Sequence, residues 1–307
     1  MDERPLVSAI IPAYNNGDLA AEAVQSVLAQ TYRPVECVVA DDGSTDGTLE
    51  RLSAFGDKIR LVPCKHRGIP FTRNAAIEAS AGEILAFLDA DDLWMPEKLD
   101  RCVPRLLSGA ETGVVYTRVE VHDLAKRQRY ELPVYDKEGD LARDLFVECR
   151  MSTSSLVVKR EALDKVGLFD EELLRAQDWD LMVRLAEAYA FAYVPEPLTV
   201  RRLHSGNISV RRSDLYAKYN LMVIQKALAR RPDLYGDLEA LSLARAHTRF
   251  GLEHYRRFEM RPARAEFARS LRRKFTGEAF KYWTRTFLPA PLVRRLRAWR
   301  ERKVQAP

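Results

Sequence analysis

Within the first ninety residues, strand-length apolar runs alternate with helical patterns, and this alternation constrains the fold more than any other feature of the chain. Residues 6–12, 35–40, 59–62 and 84–88 each read as a short buried strand. Between them, residues 19–29, 48–55 and 70–80 carry helical spacing, with Ala20, Ala23, Val24, Val27 and Leu28 on one face of the first. Short strand–helix connections predict a mostly parallel sheet covered by helices. Ligands of such sheets sit beyond the carboxyl ends of the strands. Those ends read Pro12-Ala13-Tyr14-Asn15, Asp41-Asp42-Gly43-Ser44 and Asp89-Ala90-Asp91-Asp92, so three polar or acidic clusters converge on one edge.

Each cluster has two physical readings. In an extended stretch Asp89 and Asp91 point to the same side. A divalent cation would relieve their repulsion, and Mg²⁺ or Mn²⁺ held by one or two carboxylates completes its shell with phosphate oxygens. The alternative is a solvated acidic turn, or a cap for a helix starting near Pro96. The run from Asp41 to Thr48 is turn chemistry, with Gly43 and Gly47 suited to positive φ and Thr45 or Asp46 able to cap a helix. It also offers Asp42 as an acceptor for a nucleobase N–H, and both readings can hold at once.

Further along, residues 114–116 and 155–158 read as strands, 178–188 as a helix and 191–194 as a strand. From Ser213 onward the pattern is helical, with breaks near Pro232, Pro262 and Pro289, and residues 244–258 and 263–274 suit an antiparallel helical pair. Residues 292–303 form a short basic amphipathic pattern with Leu292, Val293, Leu296 and Trp299 on one face.

Four segments then carry a resemblance: VSAIIPAYN at 7–15, VVADDGSTDGT at 38–48, TRNAAIEASAGEILAFLDADD at 72–92 and QDWDLMVRLA at 177–186. Their order and spacing, over roughly residues 5–205, are similar to those of the family 2 glycosyltransferases. The resemblance implies an α/β GT-A fold, Rossmann-like, with a mostly parallel central sheet and flanking helices. It implies transfer of a sugar from a nucleoside diphosphate donor to an acceptor hydroxyl with inversion, dependent on Mn²⁺ or Mg²⁺. By motif, Pro12, Ala13 and Tyr14 would line the nucleoside pocket. Asp42 would bond the base, expected to be uracil. Arg73 would approach the nucleotide or its phosphates, Asp89 the ribose and Asp91 the metal. Asp178 would be the general base, in a pair that reads Gln177-Asp178 where the family commonly has Glu-Asp. Read alone, Asp178 is equally an N-cap, since a helix follows at once.

His204 follows the last expected strand and is a candidate for the metal or the diphosphate, as are Arg201 and Arg202 for the phosphate; a structural histidine is the alternative. Thr153, within Met151-Ser152-Thr153-Ser154, and Trp179 are candidates for the acceptor side, and both are also plausible core or turn residues.

The charge is divided. Residues 1–200 carry a balance of −12 and residues 201–307 one of +17, within a total of +5. A catalytic domain over 1–210 followed by a basic helical region over 211–307 is expected. Basic helices with Tyr282, Trp283, Phe287 and Trp299 suit an anionic membrane interface, and an acceptor carried on lipid would explain them. A dimerisation module and a solvated helical surface are the rivals. No nucleic-acid module is recognisable, so no nucleic-acid partner is expected.

Cys37, Cys64, Cys102 and Cys149 are scattered, with no C-x-x-C pair, and residues 1–5 lack the layout of a secretory signal. A cytoplasmic protein, peripheral at the inner face of the cell membrane, is expected, working in surface polysaccharide or glycolipid synthesis. The contrasting expectation is a catalytically inactive scaffold that binds nucleotide sugars and recruits partners through its tail. No G-x-G-x-x-G follows the first strand, which argues against a dinucleotide oxidoreductase.

Overall fold

A computed structural model describes residues 4–133, 135–204, 206–207 and 213–288. The amphipathic segment expected at 292–303, with Arg294, Arg295 and Trp299, lies outside them. The chain divides into two compact units, residues 1–145 with 149–208, and residues 146–148 with 209–307.

In the first unit the alternation runs as expected: β1 (Val7–Ala13), α1 (Gly17–Leu28), β2 (Val35–Asp41), α2 (Thr48–Ser53), β3 (Arg60–Pro63), α3 (Ile69–Glu78) and β4 (Ile84–Phe87). These strands pair in parallel in the order β3-β2-β1-β4. β1 is central and buried along nearly its whole length, which is why it reads as an unbroken apolar run. Ala20, Ala23, Val24 and Val27 are the buried face of α1 and pack into the core beside Val7, Ala9 and Ile11 of β1. The winding reverses at β1, with β2 on one side of it and β4 on the other, and it is at such a switch point that open α/β sheets bind ligands.

The second half of the sheet is mixed. It holds β5 (Leu93–Trp94), α4 (Lys98–Leu107), β6 (Thr112–Asp123), β7 (Gln128–Glu131), α5 (Ala142–Val147), β8 (Val157–Lys159), α6 (Arg160–Val166), α7 (Gln177–Ala186) and β9 (Ala190–Leu203). β8 inserts antiparallel between β4 and β6, and β6 pairs in parallel with β9. β9 is far longer than the four residues expected. Pro195 and Pro197 interrupt its pattern, and the register with β6 shifts between Thr117 and Val119 to pass them.

Behind β4 and β5 lies a buried polar junction. The main-chain oxygen of Ser154, in a 3-10 turn over Thr153–Ser155, accepts from Lys98 Nζ at 2.5 Å, Trp94 Nε1 at 2.9 Å and Thr199 Oγ1 at 3.4 Å. Lys98 is fully buried, with its Nζ 4.4 Å from the centroid of the Trp94 ring. Burial pushes its ammonium down to about 7.

The second unit contains α8 (Ser213–Arg230), α9 (Pro232–Tyr235), α10 (Glu239–Arg256), α11 (Met260–Arg273) and α12 (Gly277–Arg285). α10 and α11 are the expected helical pair, but the break falls before Met260, and Pro262 sits inside the first turn of α11, where its missing N–H costs nothing. Thr248 and Ser270 bond each other between the two helices at 2.8 Å, and Phe267 is fully buried beside Gly251. No helix among the described residues is long and apolar enough to cross a membrane.

Two outcomes are expected. Helix propensity alone would make Gly251→Ala stabilising by up to about 1 kcal/mol. A Cβ there would lie 2.6 Å from the Phe267 ring, which is buried and cannot swing away. Overpacking should therefore win, lowering stability by about 1–3 kcal/mol in a denaturant titration. Lys98 is expected to give a pH dependence. Its folded-state proton is lost near pH 7, whereas the unfolded chain keeps its proton to about 10.4. The unfolded state thus binds more protons across that window, and stability should rise with pH from 7 to 10. Lys98→Met should raise the melting temperature at pH 6–7 and flatten that rise.

Candidate active site

At the end of β2, Asp41 and Asp42 are both buried. Asp41 turns back to accept from the Ser44 backbone N–H at 2.9 Å and from the Ser44 hydroxyl. Asp42 accepts from the backbone N–H of Arg67 at 2.9 Å and of Gly68 at 3.0 Å, with His66 Nδ1 3.0 Å from Oδ2. It therefore closes the loop that enters α3. Gly43 and Gly47 adopt φ of +76° and +84°, as the turn reading requires.

Pro12 and Ala13 end β1, and the oxygen of Ala13 accepts from the Asp42 N–H at 2.8 Å. Tyr14 is exposed and stacks on His66 with ring centroids 4.3 Å apart. Asn15 binds the second strand's loop in both directions, its N–H to Ser44 Oγ and its Oδ1 from the Thr45 N–H. The first two acidic or polar strand ends are thus physically laced together.

Arg73 projects from α3, is 3% exposed, and pairs through Nη2 with Asp89 Oδ1. Its Nε and Nη1 are buried with no partner among the described residues. Two unpaired nitrogens of a buried guanidinium, with three N–H groups between them, are costly unless a ligand accepts from them.

The segment after β4 is the densest. Asp89 N–H donates to Ser154 Oγ at 3.1 Å, and that hydroxyl donates to Asp92 Oδ2 at 2.6 Å. Asp92 is buried and also accepts from the Arg202 N–H at 3.1 Å. Burial, then the charges of Asp91 and Asp89, hold its carboxyl well above the ordinary range. Asp91 is raised for the same reasons, burial first and Asp89 second, with a hydrogen bond from His204 acting the other way. His204 Nε2 lies 3.2 Å from Asp91 Oδ2, and Asn207 Nδ2 donates to the same oxygen at 2.8 Å. The Gly206 N–H reaches His204 Nδ1 at 3.1 Å, which leaves the proton on Nε2, directed at Asp91.

Asp178 lies in the first turn of α7. Ala176, at φ +59°, holds the N-cap position, so the N-cap alternative for Asp178 does not apply. Its Oδ1 accepts from the Trp179 N–H at 2.9 Å, and Thr153 Oγ1 is 3.4 Å from Oδ2. Thr153 and Ser154 are neighbours on one turn, so that turn touches Asp178 with one residue and the Asp89–Asp92 segment with the next.

Three of the expected residues lie in the interior. Trp179 is buried, with Nε1 donating to the Leu145 oxygen at 2.6 Å, so it is a core side chain and offers no open face for an acceptor sugar. Thr153 is also buried, and reaches Asp178 rather than the surface. The Arg202 guanidinium is occupied by the oxygens of Asp91 and Leu19 and by Glu22, which removes it as a phosphate ligand. Ser154, Asp92 and Asn207 also belong to this cluster, and no motif singles them out individually. Asp92 was visible as the last residue of an Asp-Ala-Asp-Asp run, but nothing local showed that it turns inward.

Among the described residues no three His, Cys, Asp or Glu side chains cluster to hold a metal by themselves. The Asp91–His204 pair nevertheless suits a divalent cation. Ligands bound at about 2.1 Å and at right angles lie about 3.0 Å apart, close to the 3.2 Å between Oδ2 and Nε2. A cation would take the place of the proton between them, with the remaining positions left to water and phosphate oxygens.

Comparisons with known proteins agree with this geometry. The family model described as "Glycosyl transferase family 2" matches residues 8–167. A chondroitin synthase of Escherichia coli is 28% identical over 232 residues, covering 74% of this chain and 33% of that protein. An uncharacterised glycosyltransferase of Rickettsia typhi is 32% identical over 206 residues, covering 65% of this chain and 64% of that one. The chain therefore spans only part of the length of these relatives. Among solved structures, residues 1–349 of S. aureus TarS superpose with a TM-score of 0.61 at 18% identity, covering 87% of this chain and 80% of that one. A mannosyltransferase from Pyrobaculum calidifontis, in complex with GDP-Man and Mn²⁺, gives 0.59 at 20% identity, covering 93% and 85%. These similarities show the GT-A fold. With the family model matched over more than half of its length, the chain belongs to glycosyl transferase family 2.

Proposed function

We propose that the chain moves a sugar from a nucleoside diphosphate donor to an acceptor hydroxyl in a single displacement, with Asp178 as the general base. The observation that carries this reading is the Thr153–Ser154 turn, which brings a half-buried carboxylate beside the Asp89–Asp92 segment. Asp178 takes the acceptor proton as the hydroxyl oxygen bonds to the anomeric carbon and the bond from that carbon to the diphosphate breaks. The unpartnered Nε and Nη1 of Arg73 donate to the departing nucleotide. Asp89, itself fixed by Arg73 and Ser154, bonds the ribose. A divalent cation bound by Asp91 and His204 would supply positive charge to the diphosphate.

UDP is the nucleotide in this reading. Tyr14 offers an exposed ring at the mouth of the crevice, and Pro12 and Ala13 wall it. Asp42, whose oxygens each accept one backbone N–H, keeps a further lone pair for an imide N–H such as that of uracil. A TarS structure in complex with UDP-GlcNAc, and the E. coli chondroitin synthase, support a UDP-sugar donor and a polysaccharide acceptor. Residues 1–210 carry the chemistry, and residues 211–307 form a separate basic helical region.

Asp178→Asn should lower kcat about 10²–10⁴-fold with little change in the KM for the donor, measured as nucleoside diphosphate release. In a thermal-shift panel, UDP should raise the melting temperature only with Mn²⁺ or Mg²⁺ present, and Asp91→Asn should abolish that dependence. Turnover unchanged in Asp178→Asn would remove the base assignment. A UDP shift with no turnover on any acceptor would favour the inactive scaffold instead.

A further inference from the structure

Nine large hydrophobic side chains are exposed among the described residues, and six of them are scattered. The other three, Phe275, Phe280 and Phe287, fall within thirteen residues around α12 and are 68%, 46% and 54% exposed. Half-buried Trp283 joins them into one patch: Phe275 to Phe280 at 5.7 Å, Phe280 to Trp283 at 6.3 Å, and Trp283 to Phe287 at 5.1 Å between ring centroids. Phe280, Trp283 and Phe287 follow the i, i+3, i+7 spacing of one helix face.

This face is distinct from the one that docks α12. Ala279 and Thr286 are buried, and Tyr282 packs on Phe267 and Tyr255. The helix therefore has two apolar faces, one satisfied within its own unit and one open. Tyr282, an aromatic expected from sequence to face a membrane, belongs to the inner one.

The charge around the open face is one-sided. Residues 272–287 hold Arg272, Arg273, Lys274, Lys281 and Arg285 against Glu278 alone. Arg272, Arg273 and Lys274 are exposed and make no ion pair among the described residues. They immediately precede Phe275. Arg264 lies over the Phe287 ring at 3.8 Å and is anchored by the Thr286 oxygen. Cations rimming a contiguous aromatic patch are the arrangement that suits a bilayer interface, with rings at the acyl boundary and basic side chains on anionic headgroups. A nucleic acid would need separate ring faces for its bases. Here the rings lie against one another and Arg264.

We propose that Phe275, Phe280, Trp283 and Phe287, with Arg272, Arg273 and Lys274, form a reversible docking surface for a membrane rich in anionic phospholipid. This goes beyond the sugar-transfer reading and stands without it.

The test is co-sedimentation of the full chain with phosphatidylcholine vesicles, with and without phosphatidylglycerol. Binding is expected only with the anionic lipid. Arg272→Gln, Arg273→Gln and Lys274→Gln should each weaken it about fivefold. Phe275→Ser and Phe280→Ser should each weaken it about tenfold or more, with the melting temperature unchanged because both side chains are exposed. Equal binding to neutral and anionic vesicles, or none to either, would overturn the proposal. So would a self-associated chain whose phenylalanine variants become monomeric without affecting vesicle binding. RNA binding that depends on the three cations, without lipid binding, would assign the surface to nucleic acid.

Discussion

Ser154 is the fixed point of the first unit. Its main-chain oxygen accepts from Lys98, Trp94 and Thr199, and its hydroxyl bonds the Asp89 N–H and the Asp92 carboxyl. Five groups from β4, β5, α4 and β9 or their ends thus converge on one residue of a 3-10 turn. A junction of this kind is costly to desolvate and rigid once satisfied. The turn cannot move without leaving a buried ammonium or a buried carboxyl unpaired. Its other neighbour, Thr153, touches Asp178, so the position of that carboxylate relative to the acidic strand end is set by adjacent residues of a locked backbone.

The same logic ties the strand ends to one another. Asp42 holds the loop into α3, α3 aims Arg73 at Asp89, and Asn15 ties the end of β1 to the loop after β2. Each polar side chain at the edge does structural work on its neighbour's loop. Arg73 does so through Nη2 alone, and its buried Nε and Nη1 are left without an acceptor among the described residues.

Much of this was legible in sequence because it is local. The β1–β4 half is written in apolar runs, and its turns in glycine and aspartate, so strand ends and their polar clusters could be read off directly. The mixed half was less legible. β8 is three residues long, and β9 continues past two prolines only because β6 accommodates a register shift. The buried charges were hidden for a different reason. Charged residues normally solvate, and only tertiary packing shows that Lys98 and Asp92 are inside. Trp179 and Arg202 are buried in the opposite sense, since nothing in a sequence distinguishes an aromatic or a guanidinium facing a ligand from one whose donors are met within the protein.

Asp42 closes a loop through two backbone N–H groups while standing at the strand edge to which the proposed function assigns the nucleotide. A residue with both duties is poorly placed to drift during evolution. Exchanging it to suit another base would also unfasten the segment that orients α3 and Arg73. Change at this edge should therefore be concentrated in side chains with no scaffold duty, of which the exposed ring of Tyr14 is the accessible example.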